Sequence, residues 1–181
     1  MVLLDDARKF SGGRSVVALG MFDGVHLGHR ALLLETVHIA RTENIRSVCF
    51  TFDRHPLELL DPPRAPKALL TCEARREKIA RLGVEVLIEQ PFTHAFASLS
   101  PEGFIELLRA ALHPHTVVAG YNYSFGESGR GTAEALTALG YSWGFNVRII
   151  EPVCAKGAPV SSTAIRLLIE AGDMEGAQAY L

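Results

Sequence analysis

The length, composition and charge of the chain are those of an ordinary globular protein. Its 181 residues suffice for one domain with a sizeable core. Hydrophobic residues make up 48%, and the formal net charge of −2 gives no overall basic field for nucleic acid. The three cysteines lie far apart, and neither a secretory signal nor an apolar run of membrane-spanning length is present. We therefore expect a cytoplasmic protein that binds neither nucleic acid nor membranes.

Predicted strands and helices alternate along the chain. Short apolar runs rich in β-branched residues predict strands, and apolar residues at helical spacing predict the helices between them. In chain order the predictions are a strand at 15–19, a helix at 27–43, a strand at 47–52, a Pro-rich loop at 53–67, a helix at 71–82, a strand at 84–89, a helix at 100–112, a strand at 116–119, a glycine-rich loop at 120–131, a helix at 132–141, a strand at 146–150, and helices at 163–171 and 174–180.

This alternation predicts the fold class. Strand and helix follow each other at spacings of about thirty residues, which is typical of βαβ units. We expect an α/β protein with a Rossmann-like parallel sheet of about five strands and helices on both faces, forming one domain over residues 1–181. Such sheets bind ligands at the carboxyl ends of their strands.

The stretch GMFDGVHLGH, residues 20–29, lies where a predicted strand gives way to a helix. Its glycines permit a tight turn and close approach of a ligand. Free N–H groups and the helix dipole favour an anion there, and His26 and His29 add donors that carry charge if their pKa rises. A metal site and ordinary capping or core histidines are the alternatives, but the spacing is not that of the helical zinc pair, and the flanking glycines favour phosphate.

Three further motifs follow in order along the chain. TFDRHP, residues 51–56, ends a strand and opens a turn that Pro56 fixes. GYNYSFGESGRGT, residues 120–132, is a glycine-rich loop at another strand end. VSSTAIR, residues 160–166, begins a helix with three hydroxyl residues that are either N-caps or phosphate ligands, and Arg166 lies one turn further on.

These motifs resemble those of one enzyme family. HLGH is similar to the HxGH signature of nucleotidyltransferases, and GMFDGVHLGH resembles the first motif of bacterial FAD synthetases, the bifunctional riboflavin kinase/FMN adenylyltransferases. The family has TFDPHP and ISSTxxR motifs where this chain has TFDRHP and VSSTAIR. Some members carry a basic residue just before the last motif, whereas here Lys156 lies slightly upstream. The resemblance covers nearly the whole chain and implies a fold of the nucleotidyltransferase type.

The resemblance also implies residue roles. It assigns catalytic roles to His26, His29, Ser162 and Arg166, ATP contacts to Gly20, Phe22, Asp23, Gly28, Gly120, Asn122, Ser161 and Thr163, and FMN contacts to Phe52, His55, Pro56, Phe104 and Phe125. Mg²⁺ is expected to be held mainly by substrate phosphates, with Asp23 assisting through the metal or through loop structure.

The implied activity is transfer of AMP from ATP to the phosphate of FMN, which gives FAD and pyrophosphate. Family members that also phosphorylate riboflavin continue into a kinase domain, which we do not expect in this chain. Two cases stay open: a stand-alone adenylyltransferase, which would take FMN from a separate riboflavin kinase, or one module of a longer protein. The alternatives are a nucleotidyltransferase for nicotinamide mononucleotide, phosphopantetheine or glycerol phosphate, a non-catalytic flavin or nucleotide binder, and a structural or partner-binding domain. The flavin-side residues favour FMN over the other acceptors.

Overall fold

The sheet is the organising element of the protein. The computed structural model describes residues 1–155 and 157–181. Six parallel strands pair in the order β1-β4-β3-β2-β5-β6, and a short antiparallel pair, β7 and β8, lies outside the sheet. The strands are β1 (Val2–Leu4), β2 (Ser15–Leu19), β3 (Arg46–Phe52), β4 (Val86–Gln90), β5 (Pro114–Gly120), β6 (Asn146–Ile150), β7 (Cys154–Ala155) and β8 (Ala158–Pro159).

Most of the helices connect the strands, and several begin at a residue whose side chain caps the first turn. Thr71, Ser100 and Thr132 each accept a hydrogen bond from an N–H of the first turn that they cap. None of the helices in the described part of the chain has the length and apolar character needed to cross a membrane. The helices are α1 (Leu27–Glu43), α2 (Pro56–Leu60), α3 (Cys72–Arg81), α4 (His94–Ala97), α5 (Pro101–Leu112), α6 (Ala133–Trp143), α7 (Ser162–Glu170) and α8 (Met174–Gln178).

Side-chain alternation along the strands divides the core between the two faces of the sheet. Val16 and Ala18 of β2 pack in one cluster with buried residues of α1 and α3. Val17 and Leu19 belong to the other cluster, which buries residues of α5 and α6. All five residues of β2 are buried because the central strand of a covered parallel sheet meets helices on both faces.

The order of the strands places a crevice at the centre of the sheet. The chain proceeds from β2 through β3 to β4 on one side of β2, and β5 and β6 then add on the other side. The direction of winding therefore reverses between β2 and β5, and ligands of open α/β sheets bind at such a point, beside the carboxyl ends of the strands. The first motif follows β2, and the glycine-rich loop follows β5.

The predicted fold class is confirmed, while several details differ from the prediction, and α4, β7 and β8 were not predicted at all. The sheet has six strands rather than about five, because β1 is a three-residue edge strand that depends on its pairing with β4. The Pro-rich segment 53–67, predicted as a loop, contains α2 and a 3-10 turn at Pro62–Arg64. In α2, His55 and Glu58 form a capping box, and Pro56 at the first helical position has a fixed φ angle that suits a helix. These two features explain why this short segment is helical.

Candidate active site

The loop after β2 has an unusual backbone conformation. Phe22, Gly24 and Val25 all have positive φ angles, of 51°, 81° and 47°. This conformation is strained for a β-branched residue, by roughly 1–3 kcal/mol, and such strain tends to occur at functional sites. It turns the ring of Phe22 into the core, beneath Gly20, where the ring meets His29 edge-on with centroids 5.3 Å apart. Phe22 is therefore buried against Gly20 and His29, and its predicted contribution to nucleotide binding would act through these two residues.

The two histidines organise the start of α1. Nδ1 of His26 accepts a hydrogen bond from the backbone N–H of His29 at 3.3 Å, and the two rings stack with centroids 3.6 Å apart. The first amide of the helix, that of Leu27, donates to the carbonyl of Tyr180 at 3.0 Å. Among the described residues the amide of Gly28 has no such partner, and Gly28 has no side chain to obstruct a ligand. Fewer amides are therefore free for an anion than the sequence suggests.

Both histidines are neutral near pH 7. Burial lowers the pKa of His26 to about 4. Burial, together with the neighbouring His26, lowers the pKa of His29 to about 3. The condition under which these rings would carry charge, a raised pKa, is therefore not met in this structure. Because Nδ1 of His26 is an acceptor, its proton lies on Nε2, and the ring acts as a neutral donor.

Asp23 joins three separate segments of the site. Its Oδ1 accepts a hydrogen bond from the amide of Leu69 at 3.0 Å, and its other carboxylate oxygen forms an ion pair with Arg166. The hydroxyl of Ser162 donates to the backbone carbonyl of Asp23 at 2.9 Å. Nε of Arg166 donates to the carbonyl of Lys67 at 2.7 Å. The first motif, the segment before α3 and the start of α7 therefore form one connected hydrogen-bond network.

The hydroxyl residues at the start of α7 have different positions. Ser161 is the N-cap, and its Oγ accepts from the amide of Ala164 at 3.1 Å. Ser162 and Thr163 line a cavity beside Arg166. Lys156, upstream of this motif, lies outside the described residues. The capping bond uses the Ser161 oxygen as an acceptor, so its O–H stays available to donate to a phosphate, and Thr163 is exposed and accessible.

This polar cavity is the first of two that meet at the carboxyl edge of the sheet. It has a volume of about 500 Å³ and contains donors on several sides together with two carboxylates. Its lining residues are Met21, Asp23, His29, His55, Leu57, Arg64, Pro66, Ser162, Thr163, Arg166, Leu167 and Glu170.

The second cavity, which we call the aromatic cavity, has a volume of about 480 Å³. The ring of Phe52 lies 4.9 Å from that of Phe92 and 5.2 Å from that of Phe96. Phe104 and Phe125 face each other at 5.5 Å. The lining residues come from β2, β3, β5, the segments that follow β2 to β5, and helix α5. They include Gly20, Phe50, Phe52, His55, Pro56, Phe92, Phe96, Phe104, Gly120, Asn122, Tyr123 and Phe125.

Three residues line both cavities: Met21, His29 and His55. His55 is held from two directions, because its Nδ1 accepts from the amide of Leu57 at 3.2 Å and its own amide donates to Glu58 at 3.1 Å. His29 and His55 therefore stand at the junction between a polar space and an aromatic one. A ligand that extends from one cavity to the other must pass these two rings.

The structure brings together residues predicted from separate motifs, but some of them line a different cavity from the one that their predicted ligand suggests. Gly120 and Asn122, predicted as ATP contacts, line the aromatic cavity. Four predicted site residues are not among the lining residues of either cavity: Phe22, His26, Gly28 and Ser161.

Several lining residues carry no signal that led to their prediction as site residues. Arg64 lines the polar cavity, and Phe92 and Phe96 form a wall of the aromatic one. The segment PFTHAF, residues 91–96, follows β4 directly, and two phenylalanines at a strand's carboxyl end were the available signal.

No group of three or more His, Cys, Asp or Glu side chains within the described ranges is arranged to hold a metal ion. Asp23 is the acidic side chain within the first motif, and both of its carboxylate oxygens are engaged with Leu69 and Arg166. The described residues therefore do not fit a metal held by protein ligands alone.

Comparisons with known proteins agree on one family. The profile described as FAD synthetase matches residues 9–164. A bifunctional riboflavin kinase/FMN adenylyltransferase of Listeria monocytogenes is 40% identical over 168 residues, which are 92% of this chain and 53% of that protein. The protein of the same name from Bacillus subtilis is 34% identical, with 96% and 55% covered. The chain thus spans about half the length of these two relatives.

Two further matches extend the comparison. A protein of Geobacillus thermodenitrificans that carries a provisional form of the same name is 36% identical, with 92% of this chain and 89% of that protein covered. A crystal structure from Streptococcus pneumoniae, titled as a macrolide-efflux protein, superposes with a TM-score of 0.82 at 32% identity and covers 97% of this chain and 59% of that one. Because the family profile matches well over half of its residues, the chain belongs to the FAD synthetase family.

Proposed function

We propose that the protein is an FMN adenylyltransferase, which transfers AMP from ATP to the phosphate of FMN and releases FAD and pyrophosphate. The junction of the two cavities at His29 and His55 carries this proposal. A reaction between two phosphates needs both to meet, while the flavin and the triphosphate occupy different surroundings. The aromatic cavity suits an isoalloxazine ring, and the polar cavity suits a polyphosphate. Family membership agrees with both assignments.

The reaction joins two anions, so the main barrier is electrostatic. An oxygen of the FMN phosphate attacks the α-phosphorus of ATP, and the bond from that phosphorus to pyrophosphate breaks. The attacking oxygen is already anionic near neutral pH, so no general base is needed. Catalysis then comes from positioning and from donors directed at the developing charge.

The site residues divide into groups that contact the phosphates and groups that hold them in place. His29 lines the junction and would donate to the phosphates there. Ser162, Thr163 and Arg166 would bind the outer phosphates of ATP, with the fork of Arg166 suited to two oxygens at once. His26 would position His29 by stacking on its ring and capping its amide.

Mg²⁺ belongs to the substrate in this proposal. It would enter as the complex with ATP and lower the charge of the phosphates. The protein residues would bind that complex, and Asp23 would act through the loop network rather than as a dedicated ligand.

Three further expectations stay predictions: that the chain forms one adenylyltransferase domain, that the protein is cytoplasmic, and that a separate riboflavin kinase supplies FMN.

The test is a product assay with the purified 181-residue protein. FMN, ATP and Mg²⁺ are incubated together, and FAD and pyrophosphate are followed by chromatography. Equal amounts of both products are expected. Parallel reactions replace FMN with riboflavin, which should yield no FMN, or with nicotinamide mononucleotide, which should yield no dinucleotide. A product only with nicotinamide mononucleotide would overturn the flavin assignment, and binding of both substrates without pyrophosphate would identify a binding protein.

A further inference from the structure

We propose that His55 is a catalytic residue that donates a hydrogen bond from Nε2 to the phosphate of the acceptor flavin, rather than a wall of the ring pocket. The inference rests on the proposed function and extends it by naming the group that recognises the acceptor's phosphate. Three observations carry it: the position of His55 at the junction, its fixed tautomer and its fixed orientation.

The position of His55 separates it from the residues that surround a ring. It lines both cavities, whereas Phe52, Phe104 and Phe125 line the aromatic cavity alone. A flavin whose ring lies among those phenylalanines must direct its phosphate out of the aromatic cavity. That phosphate then reaches the junction, where His29 and His55 are the two residues with ring N–H groups.

The hydrogen bonds of His55 determine which nitrogen faces the ligand. Nδ1 accepts the backbone N–H of Leu57 at 3.2 Å, so it carries no proton, and the proton of the neutral ring lies on Nε2. Burial lowers the pKa of His55, and the positive charge of Arg166 lowers it further, so the ring is neutral at pH 7. Nε2 is therefore a donor, and a phosphate oxygen is a matching acceptor.

The orientation of the ring is set by the start of α2. Glu58 accepts a hydrogen bond from the backbone amide of His55 at 3.1 Å, and Pro56 fixes the backbone at the next residue. A donor held in place before the ligand arrives costs little ordering free energy on binding. During transfer His55 keeps its proton, since the attacking oxygen is already anionic and the electron pair of the broken bond leaves with pyrophosphate.

The test compares flavins with and without the phosphate. Dissociation constants for FMN and riboflavin are measured by flavin fluorescence, and the ratio of riboflavin to FMN reports what the phosphate contributes. In the wild-type protein the ratio should exceed ten. His55→Asn keeps an acceptor at the capping position but lacks the distant N–H, so its ratio should fall at least fivefold. His55→Gln restores an N–H at the far end and should recover part of the ratio.

Two controls distinguish the outcomes. Phe125→Ala should weaken both flavins alike and leave the ratio unchanged. If His55→Asn weakens riboflavin and FMN equally, or if the wild-type ratio is near one, the proposed role of His55 is overturned. The ratio is a binding measurement, so it tests His55 even if the protein makes no FAD, in which case only the adenylyltransferase proposal fails.

A measurement on the unaltered protein guards against misfolding of the variants. The Nε2–H signal of His55 in a nitrogen-15 NMR spectrum should shift on addition of FMN and stay in place on addition of riboflavin. A signal that moves equally with both flavins would contradict the proposal.

Discussion

The guanidinium group of Arg166 forms an ion pair with Asp23, and both side chains line the polar cavity. The pair is mostly shielded from solvent, with 18% of the Arg166 side chain and 16% of the Asp23 side chain exposed. Arg166 is thus already oriented by the first motif, 143 residues earlier in the chain. A phosphate that binds Arg166 has to share it with Asp23, so nucleotide binding and the integrity of this loop are coupled.

Asp23→Asn tests this coupling. The variant keeps an oxygen for the amide of Leu69 but removes the charge that compensates Arg166. We expect the melting temperature to fall by several degrees, corresponding to about 1–3 kcal/mol. Because ATP phosphates can replace the lost negative charge, saturating MgATP should raise the melting temperature more in the variant than in the wild type.

An Arg166→Ala variant serves as the control. It lacks the positive charge that the ATP phosphates would neutralise, so MgATP should raise its melting temperature little. An equal MgATP-induced shift in the wild type and in Asp23→Asn would show that the ion pair does not compete with phosphate.

The buried histidines predict how stability depends on pH. The pKa of His26 is lowered to about 4 and that of His29 to about 3, below the ordinary value near 6.5 of an unfolded chain. The unfolded state therefore binds more protons, and the stability from these neutral rings is complete above pH 6.5 and declines as pH falls towards the folded pKa values. Each ring should contribute about 1–2 kcal/mol less at pH 5 than at pH 7.

Urea unfolding at pH 7 and pH 5 measures this loss. The double variant His26→Gln/His29→Gln should lose less stability between the two pH values than the wild type, because its side chains do not titrate. A parallel decline of both proteins would mean that the two histidines titrate normally when folded.

His29 is predicted to act in the chemical step. Replacing it with alanine removes a donor at the junction of the cavities, and the loss of such a contact lowers turnover by about 10²-fold or more. The measurement is FAD formation at saturating ATP and FMN. The matched control is His38→Ala, which removes an exposed histidine further along the same helix and should leave turnover unchanged. Near-normal turnover in folded His29→Ala protein would exclude the catalytic role.

Phe125 is predicted to bind the flavin ring. Its side chain faces Phe104 across the aromatic cavity, so Phe125→Ala should weaken FMN by about tenfold through lost apolar contact, while ATP binding changes little. Separate titrations with the two ligands measure this difference. Phe145→Ala, which truncates a buried ring of the same core cluster outside the cavity, controls for lost stability. Equal weakening of FMN and ATP by Phe125→Ala would contradict the assignment.

Much of the fold was predictable because apolar runs and helical spacing are local features of the sequence. The bounds of β2, α1 and β6 agree with their predicted ranges, since an apolar run or a helical spacing fills each of them. β1 was missed because three residues at an edge carry no periodic signal and depend on β4. The helix in the segment after β3 was missed because Pro56 and the two prolines that follow the helix, Pro62 and Pro63, suggested a loop.

The candidate site, like the fold, was predictable in part. By itself the sequence determined the alternating α/β organisation, the order of the four motifs and the residue types that suit phosphates and a flavin, because these depend on neighbours along the chain. Only the tertiary structure decided which residues meet. It placed His55 beside His29, bound Arg166 to Asp23, added Phe92 and Phe96 to the aromatic wall and made the buried histidines neutral. Distances between distant segments and the loss of solvent around a side chain arise from packing, which no local pattern records.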